Sequence, residues 1–425
     1  MPLAALVLTL MATLAATPFQ APPQSQEPAP PPKEPKQSIP PKLGDDEPGT
    51  SFFPMPSIAS DKDSGMTYGF LAALMFTNDQ GIQDGLLSAT VTYNRLVKVG
   101  GEVEFRYYPT LTGVVDLDAY IAQRVESSLH LFYEETRLAD LWHGRFEYFD
   151  QRSSTDRFFG RGDGNPVSQE SVRTSDEYRA EARFGPRLNN RWDVEGTLRW
   201  RHYRVGDSLI TDHPQMTTLY PNEPGIEGGD VVAGGVRIVG ESRDSVTTPT
   251  SGTYVTAYFE SAEDYAPGKS HPYWNCGASQ TTLWPMDKEK RFVTVLNTAT
   301  QLAIGHYIPF WELPAIGGST TLRSFNGGRF TNKDMILMNV EERIRIHEAS
   351  LWGVSGEVQV APFFDLGKVF DSSGDLVGRG SLQYFHYSYG FGLRGVVNPS
   401  FVGRLDVGFG GREGVGVTIG LDYPF

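Results

Sequence analysis

From Phe385 to Arg394 every second residue is apolar: Phe385, Tyr387, Tyr389, Phe391 and Leu393 oppose His386, Ser388, Gly390, Gly392 and Arg394. A period of two belongs to a β-strand with unlike faces, and no helix sorts these residues onto one side. The pattern recurs. Phe401, Leu405, Val407 and Phe409 oppose Arg404 and Asp406, while Trp192, Val194, Leu198 and Trp200 oppose Arg191, Asp193, Glu195, Thr197, Arg199 and Arg201. From residue 66 about sixteen such segments follow one another, separated by clusters of Gly, Asn, Asp, Pro or Ser. They cover 66–76, 84–96, 101–110, 117–135, 139–150, 175–189, 191–207, 230–244, 252–263, 271–285, 291–308, 335–346, 354–370, 384–396, 401–410 and 414–425. The chain is all-β.

A soluble sandwich alternates too, with its apolar faces packed together as a core. Connection lengths separate the two cases. Those after the fifth, seventh, eleventh and thirteenth segments are long, for example 151–174 and 208–229, whereas those after the sixth and fourteenth are a few residues. Long loops at one end and short turns at the other, with both termini on the short-turn side, are the pattern of a transmembrane antiparallel β-barrel. Only every second residue of such a strand meets lipid, so a hydrophobic content of 39% is no obstacle. No apolar run reaches the roughly 18 residues that a membrane helix needs.

The N-terminus reads differently. Residues 3–16 are an apolar run followed by Thr17 and Pro18, which places a signal peptide over 1–17, with no Ala-x-Ala site to mark cleavage. Residues 18–62, dense in Pro, Gln, Glu and Ser, predict a disordered periplasmic linker, leaving 63–425 for the barrel. A single cysteine, Cys276, allows no intramolecular disulfide, and a net charge of -14 argues against a nucleic-acid partner. The eight histidines are scattered without a zinc motif, and there is no Gly-x-Ser-x-Gly. No catalytic residue, metal ligand or cofactor is therefore assigned. A Ser-His pair formed between distant strands is the one enzymatic arrangement that spacing leaves open.

One loop and the strand after it stand apart. The loop runs Gly317-Gly318-Ser319-Thr320-Thr321-Leu322-Arg323-Ser324-Phe325-Asn326-Gly327-Gly328-Arg329-Phe330, and no Walker Lys-Ser/Thr follows its glycines. The strand places Ile336, Met338, Val340, Ile344 and Ile346 on one face and Asn339, Glu341, Arg343 and Arg345 on the other, with Glu342 the exception on the apolar side. A charged face on such a strand needs water or charged partners, because an unpaired buried charge costs several kcal/mol. Arg323 is a candidate partner, and an ordinary porin salt-bridge network is the plainer alternative.

These residues resemble the BamA-type superfamily of outer-membrane assembly and secretion barrels, related to TamA and also called the bacterial surface antigen family. The resemblance implies that the loop is a sixth extracellular loop folded into the barrel, its tip being Leu322, Arg323, Ser324 and Phe325. It implies lumenal partners in two motifs, Asn339, Glu341 and Arg343 on one strand and Phe363, Asp365 and Gly367 on the next, with Arg323 reaching Glu341 and Asp365. Ser324 stands where the family has glycine. A Cβ restricts φ there, and a less tightly turned tip or weaker activity is expected. Two further matches, Phe158-Phe159-Gly160-Arg161-Gly162-Asp163 and Ser242-Arg243-Asp244 with Pro249-Thr250-Ser251-Gly252, extend the likeness over most of 158–425.

The final segment sets Val415, Val417, Ile419, Leu421, Tyr423 and Phe425 against Gly414, Gly416, Thr418, Gly420, Asp422 and Pro424. It resembles the C-terminal assembly signal of outer-membrane barrels, carried by Ile419, Leu421, Tyr423 and Phe425, and its small residues leave room for the infolded loop. Pro424 has no N–H, so pairing to the first strand is expected to stop short and leave a seam open to β-augmentation. The linker is too poor in apolar residues to hold POTRA modules, which marks a short member of the family. The function so implied is insertion, assembly or translocation of proteins at the bacterial outer membrane. The partners implied are outer-membrane lipids, the assembly machinery for the barrel's own insertion, and a client protein or a separate periplasmic partner. A passive porin is the alternative, and a barrel enzyme a more distant one.

Overall fold

A strand with one apolar and one polar face needs lipid or a core on the first side and water or charged partners on the second. A computed structural model, describing residues 49–79, 82–265, 270–351, 354–371, 385–397, 401–410, 413–420 and 423–425, meets this with one antiparallel sheet of 18 strands closed on itself. The strands are β1 (Gly49–Asp61), β2 (Gly65–Thr77), β3 (Gln83–Asn94), β4 (Lys98–Thr110), β5 (Gly113–Ala122), β6 (Ser127–Leu138), β7 (Trp142–Phe158), β8 (Ser171–Asn189), β9 (Trp192–Gly206), β10 (Gly229–Glu241), β11 (Gly252–Asp264), β12 (His271–Pro285) and β13 (Phe292–Ile304). After a loop holding the two-residue pair β14 (Ala315–Ile316) and β15 (Phe330–Thr331) come β16 (Asp334–Leu351), β17 (Val354–Phe370), β18 (His386–Val397), β19 (Phe401–Phe409) and β20 (Val415–Gly420). Ser60 opposite Ile419 joins β20 back to β1.

The faces are inverted relative to a soluble sandwich. Trp192, Leu198 and Trp200 of β9 and Tyr387, Tyr389, Phe391 and Leu393 of β18 are exposed on the outside, while Glu195, Ser388 and Arg394 are buried inside. Apolar outside and polar inside is the arrangement that lipid requires.

Two strands exceed the expected number. The first, β1, comes from the segment read as linker, so the barrel begins at Gly49 and not at residue 63. Pro54 and Pro56 argue against a central strand, yet the closing strand of this barrel tolerates them. Residues 1–48, with the expected signal peptide, lie outside the described residues. The second arises because the expected segment 117–135 is broken at residues 123–126, where Val125 takes a φ of 54°. That turn contains no Gly, Pro or Asn, and so carries no sequence signal. Both additions precede the infolded loop, which is therefore the seventh at its end of the barrel rather than the sixth. Of the last strand, expected over 414–425, Val415–Gly420 is strand, and residues 421–422 lie outside the described residues.

Candidate functional site

The connection from β13 to β16, residues 305–333, turns into the lumen. β14 and β15 pair through Ala315 with Thr331 and Ile316 with Phe330, closing an Ω-shaped segment. Gly317 has a φ of 119°, and a Cβ there would stand 2.3 Å from the Asn326 carbonyl oxygen. Leu322, Phe325 and Phe330 bury with Ile316, Met335, Leu337 and Val369. This apolar cluster fixes which side of the loop faces the wall.

From that side Arg323 reaches both motif strands. Its Nη1 donates to Glu341 at 2.6 Å, its Nη2 and Nε to Asp365 at 2.8 and 3.1 Å, and its backbone N–H to Asp365 at 3.1 Å. The guanidinium lies 3.5 Å from the ring centre of Phe363. Asn339 donates to Asp365 at 2.8 Å and to the Thr321 carbonyl at 2.6 Å, and Arg343 donates to Glu341 at 3.1 Å. Gly367 leaves room, since a Cβ on it would come 2.9 Å from Ile316 Cδ1. Burial disfavours the Arg323 charge, but Asp365 and Glu341 outweigh it and hold the guanidinium above its ordinary range.

The loosened tip expected from Ser324 is not found. Ser324 lies outside the left-handed region, so its Cβ costs no strain. Its backbone N–H donates to Ser388 Oγ at 3.1 Å and the two hydroxyls lie 2.7 Å apart. Glycines on the facing strands make the seat: a Cβ on Gly416 would be 2.3 Å from the Arg323 carbonyl oxygen, and one on Gly410 2.6 Å from Ser324 Oγ.

The network is larger than the sequence motifs suggested. Arg394 donates to Glu341 at 3.1 Å and to Asp406 at 2.6 Å, and Asp406 lies 3.8 Å from Arg323. Both residues sit opposite the aromatic faces of β18 and β19, which was the available signal. A second anchor was missed altogether. Glu312, in the helical turn Phe310–Glu312, accepts from Arg199 at 2.9 and 2.8 Å, from Arg201 at 2.9 Å and from the Tyr273 hydroxyl at 2.8 Å. Burial raises its pKa, but Arg199 and Arg201 outweigh that and bring it down to about 2. Glu312 is the one acidic residue between 305 and 333, and the inward arginines of β9 needed a partner. Trp311 beside it stacks on Tyr203 with centroids 5.1 Å apart.

The loop tip also straddles the closure of the sheet. Lys62, in the β1–β2 turn, donates to the carbonyl oxygens of Ser324 and Glu413, each at 2.9 Å. Asp63 accepts from Asn326 Nδ2 at 2.6 Å and from the Gly327 N–H at 2.8 Å, and Arg329 pairs with Glu413 at 2.6 Å. The earlier loop motif packs here as well: Arg329 lies 4.5 Å from the ring of Phe159, and the Gly162 N–H donates to the Thr331 carbonyl at 2.8 Å. At the other end of the barrel Asp244 accepts from the Thr250 and Ser251 N–H groups at 2.8 and 3.1 Å, shaping the β10–β11 turn.

The C-terminal residues divide. Val415 and Val417 point outward on β20, with Ile419 in the same phase, whereas Leu421 lies outside the described residues. Tyr423 and Phe425 turn into the lumen and do not continue the outer face. Tyr423 donates to Gln359 at 3.2 Å with Arg343 over its ring at 3.5 Å, and Phe425 packs on Leu283, Val293 and Val295. An arginine over each ring offsets the loss of their place on the outer face.

Residues 116–412 match the Omp85 superfamily domain. BamA from Haemophilus ducreyi lacking POTRA domains 1–3 shares the fold, with a TM-score of 0.52 at 13% identity over 89% of this chain and 70% of that one. CdiB from Acinetobacter baumannii has a TM-score of 0.44 at 12% identity, over 88% and 66% of the two chains. CdiB from Escherichia coli has 0.45 at 13%, over 86% and 62%. No curated protein matches.

Proposed function

The chain belongs to the Omp85 superfamily, whose members are β-barrels of the bacterial outer membrane, and from that premise we propose that it inserts or translocates proteins there. The observation that carries this reading is the seam. β1 is paired along its whole length to β2, and β20 along its whole length to β19. Between β1 and β20 the one registered pair among the described residues is Ser60 with Ile419. Pro54 and Pro56, two residues apart, remove two donors from the same edge of β1, and the full pairing with β2 makes the seam side that edge. An edge so poorly paired takes up a client strand by β-augmentation. A passive porin needs an open lumen, and here loop 305–333 and the tail occupy it. The client enters from the short-turn side, where the termini lie, and residues 18–48 of the linker dock a separate periplasmic partner.

Ser60→Cys with Ile419→Cys, in a Cys276→Ser background, tests the seam. The opposed Cα atoms of an antiparallel pair lie about 4.5–5.5 Å apart, within the roughly 4.4–6.8 Å that a disulfide bridges. Oxidation is expected to abolish insertion of a client barrel into liposomes, and reduction to restore it. Full activity in the cross-linked form sinks the proposal. Deleting residues 21–41 is expected to leave the barrel folded and to lower co-purification of a partner, and equal recovery rules out docking.

A further inference from the structure

Beside the Glu312 anchor the lumen holds a cavity of about 470 Å³, bordered by β8 to β13 and the base of the infolded loop. Short side chains, among them Thr197, Thr256 and Ser279, leave the space. Five arginines line it against three glutamates, in a chain whose net charge is -14. The glutamates are already engaged. Glu312 is held by Arg199 and Arg201, Glu260 meets Arg199 at 3.3 Å, and Glu181 pairs with Arg183.

Arg237 is the arginine left over. It has no ion pair among the described residues, and its one hydrogen bond runs from Nη2 to the Tyr254 hydroxyl at 3.3 Å. Glu195, opposite it in register, pairs with His143 and acts on Arg237 through space without a hydrogen bond among the described residues. Three further donors on the same cavity are buried without a partner among the described residues: Arg179 Nε, Arg201 Nε and the Thr197 hydroxyl, which join Arg237 Nε. Buried donors of this kind ordinarily find acceptors. Arg179 has carboxylates only at the edge of reach, Glu147 at 3.6 Å and Glu177 at 3.7 Å. Planar guanidinium groups around a concave space match carboxylate and phosphate geometry. The same wall already takes a carboxylate, that of Glu312, between Arg199, Arg201 and Tyr273.

We propose that this cavity binds a small solute bearing two or more carboxylate or phosphate groups, held by Arg237, Arg179 and Thr197 beside the Glu312 anchor. The site needs neither seam opening nor a client, so its failure and that of the insertion reading are independent.

Calorimetric titration of the full chain, refolded in detergent at fixed ionic strength, uses citrate, inorganic phosphate and acetate as separate probes. Citrate is expected to bind with one site per barrel and more tightly than acetate, and phosphate against citrate decides which anion chemistry is preferred. Arg237→Gln is expected to weaken citrate binding about tenfold, the effect of losing one charge-assisted contact. Thr197→Asp, which sets a carboxylate in the cavity, is expected to abolish it. Retained heat-modifiable migration on gels reports folding, and if Thr197→Asp does not fold, Arg237→Gln against Arg237→Lys decides. No citrate binding by the wild type, or unchanged binding by Arg237→Gln, overturns the proposal.

Discussion

Arg323 is completely buried with two carboxylates, so its removal does more than erase two ion pairs. In Arg323→Ala, Glu341 keeps Arg343 and Arg394, whereas Asp365 keeps Asn339. Leaving a buried charge uncompensated costs about 3–5 kcal/mol. A lower unfolding temperature and faster proteolysis within 305–333 are expected, and wild-type protease resistance would falsify the latch. Adding Asp365→Ala should return part of the loss, because the double variant no longer holds the stranded charge. Glu312 makes the other anchor dependent on pH. Its carboxyl, normally at 4.5, lies at about 2 in the folded chain. A depressed folded pKa contributes stability that is complete above 4.5 and lost as pH falls towards 2. Pepsin cleavage of the loop should therefore rise as pH falls through that window in the wild type. Glu312→Gln, which has no carboxyl to protonate against Arg199 and Arg201, should cleave readily throughout. Parallel pH profiles for the two proteins exclude the anchor.

At the scale of elements, three turns cooperate. The loop tip between Ser324 and Arg329 touches the β1–β2 turn through Lys62 and Asp63 and the β19–β20 turn through Glu413. It thereby clasps the two sides of a seam that has little pairing of its own. Glu413→Ala removes the Arg329 partner, and breaking a largely buried pair by removing one member costs about 3 kcal/mol, equivalent to about a hundredfold change in an equilibrium. Amide exchange along β20 should quicken by about that factor, with β8 and β9 unchanged. Exchange that stays uniform across the sheet removes the clasp from the account. The Ser324–Ser388 hydroxyl pair belongs to the same contact surface and explains why serine suits the tip here.

For the whole molecule the question is what closes the lumen. Loop 305–333 occupies it from the long-loop end, and Tyr423 and Phe425 enter from the other. Phe425 lies 5.5 Å from the Arg323 guanidinium, so the two plugs meet at one residue. Deleting residues 423–425 from refolded protein is expected to raise its steady ion conductance in planar bilayers, and unchanged conductance means the tail is no plug. In cells the same deletion is expected to lower the amount of assembled barrel, as the resemblance to an assembly signal implies. The two readouts are separable because refolding bypasses the assembly machinery.

Much of this was determined by the sequence alone. Period-two alternation dictates strands, and loop lengths dictate a barrel. Alternation along β16 reported the shared face of Asn339, Glu341 and Arg343, whereas Asp365 and its pairing with Arg323 were implied by the family resemblance. What only the tertiary structure decided involves partners far apart in the chain. Glu312 meets Arg199 and Arg201 from more than a hundred residues away, and Arg394 and Asp406 enter the latch through sheet register. β1 hid behind its prolines and the turn at Val125 behind ordinary residues, because pairing along a neighbouring strand overrides local preference. The inward course of Tyr423 and Phe425 depends on arginines carried by other elements, and alternation within β20 could not reveal it.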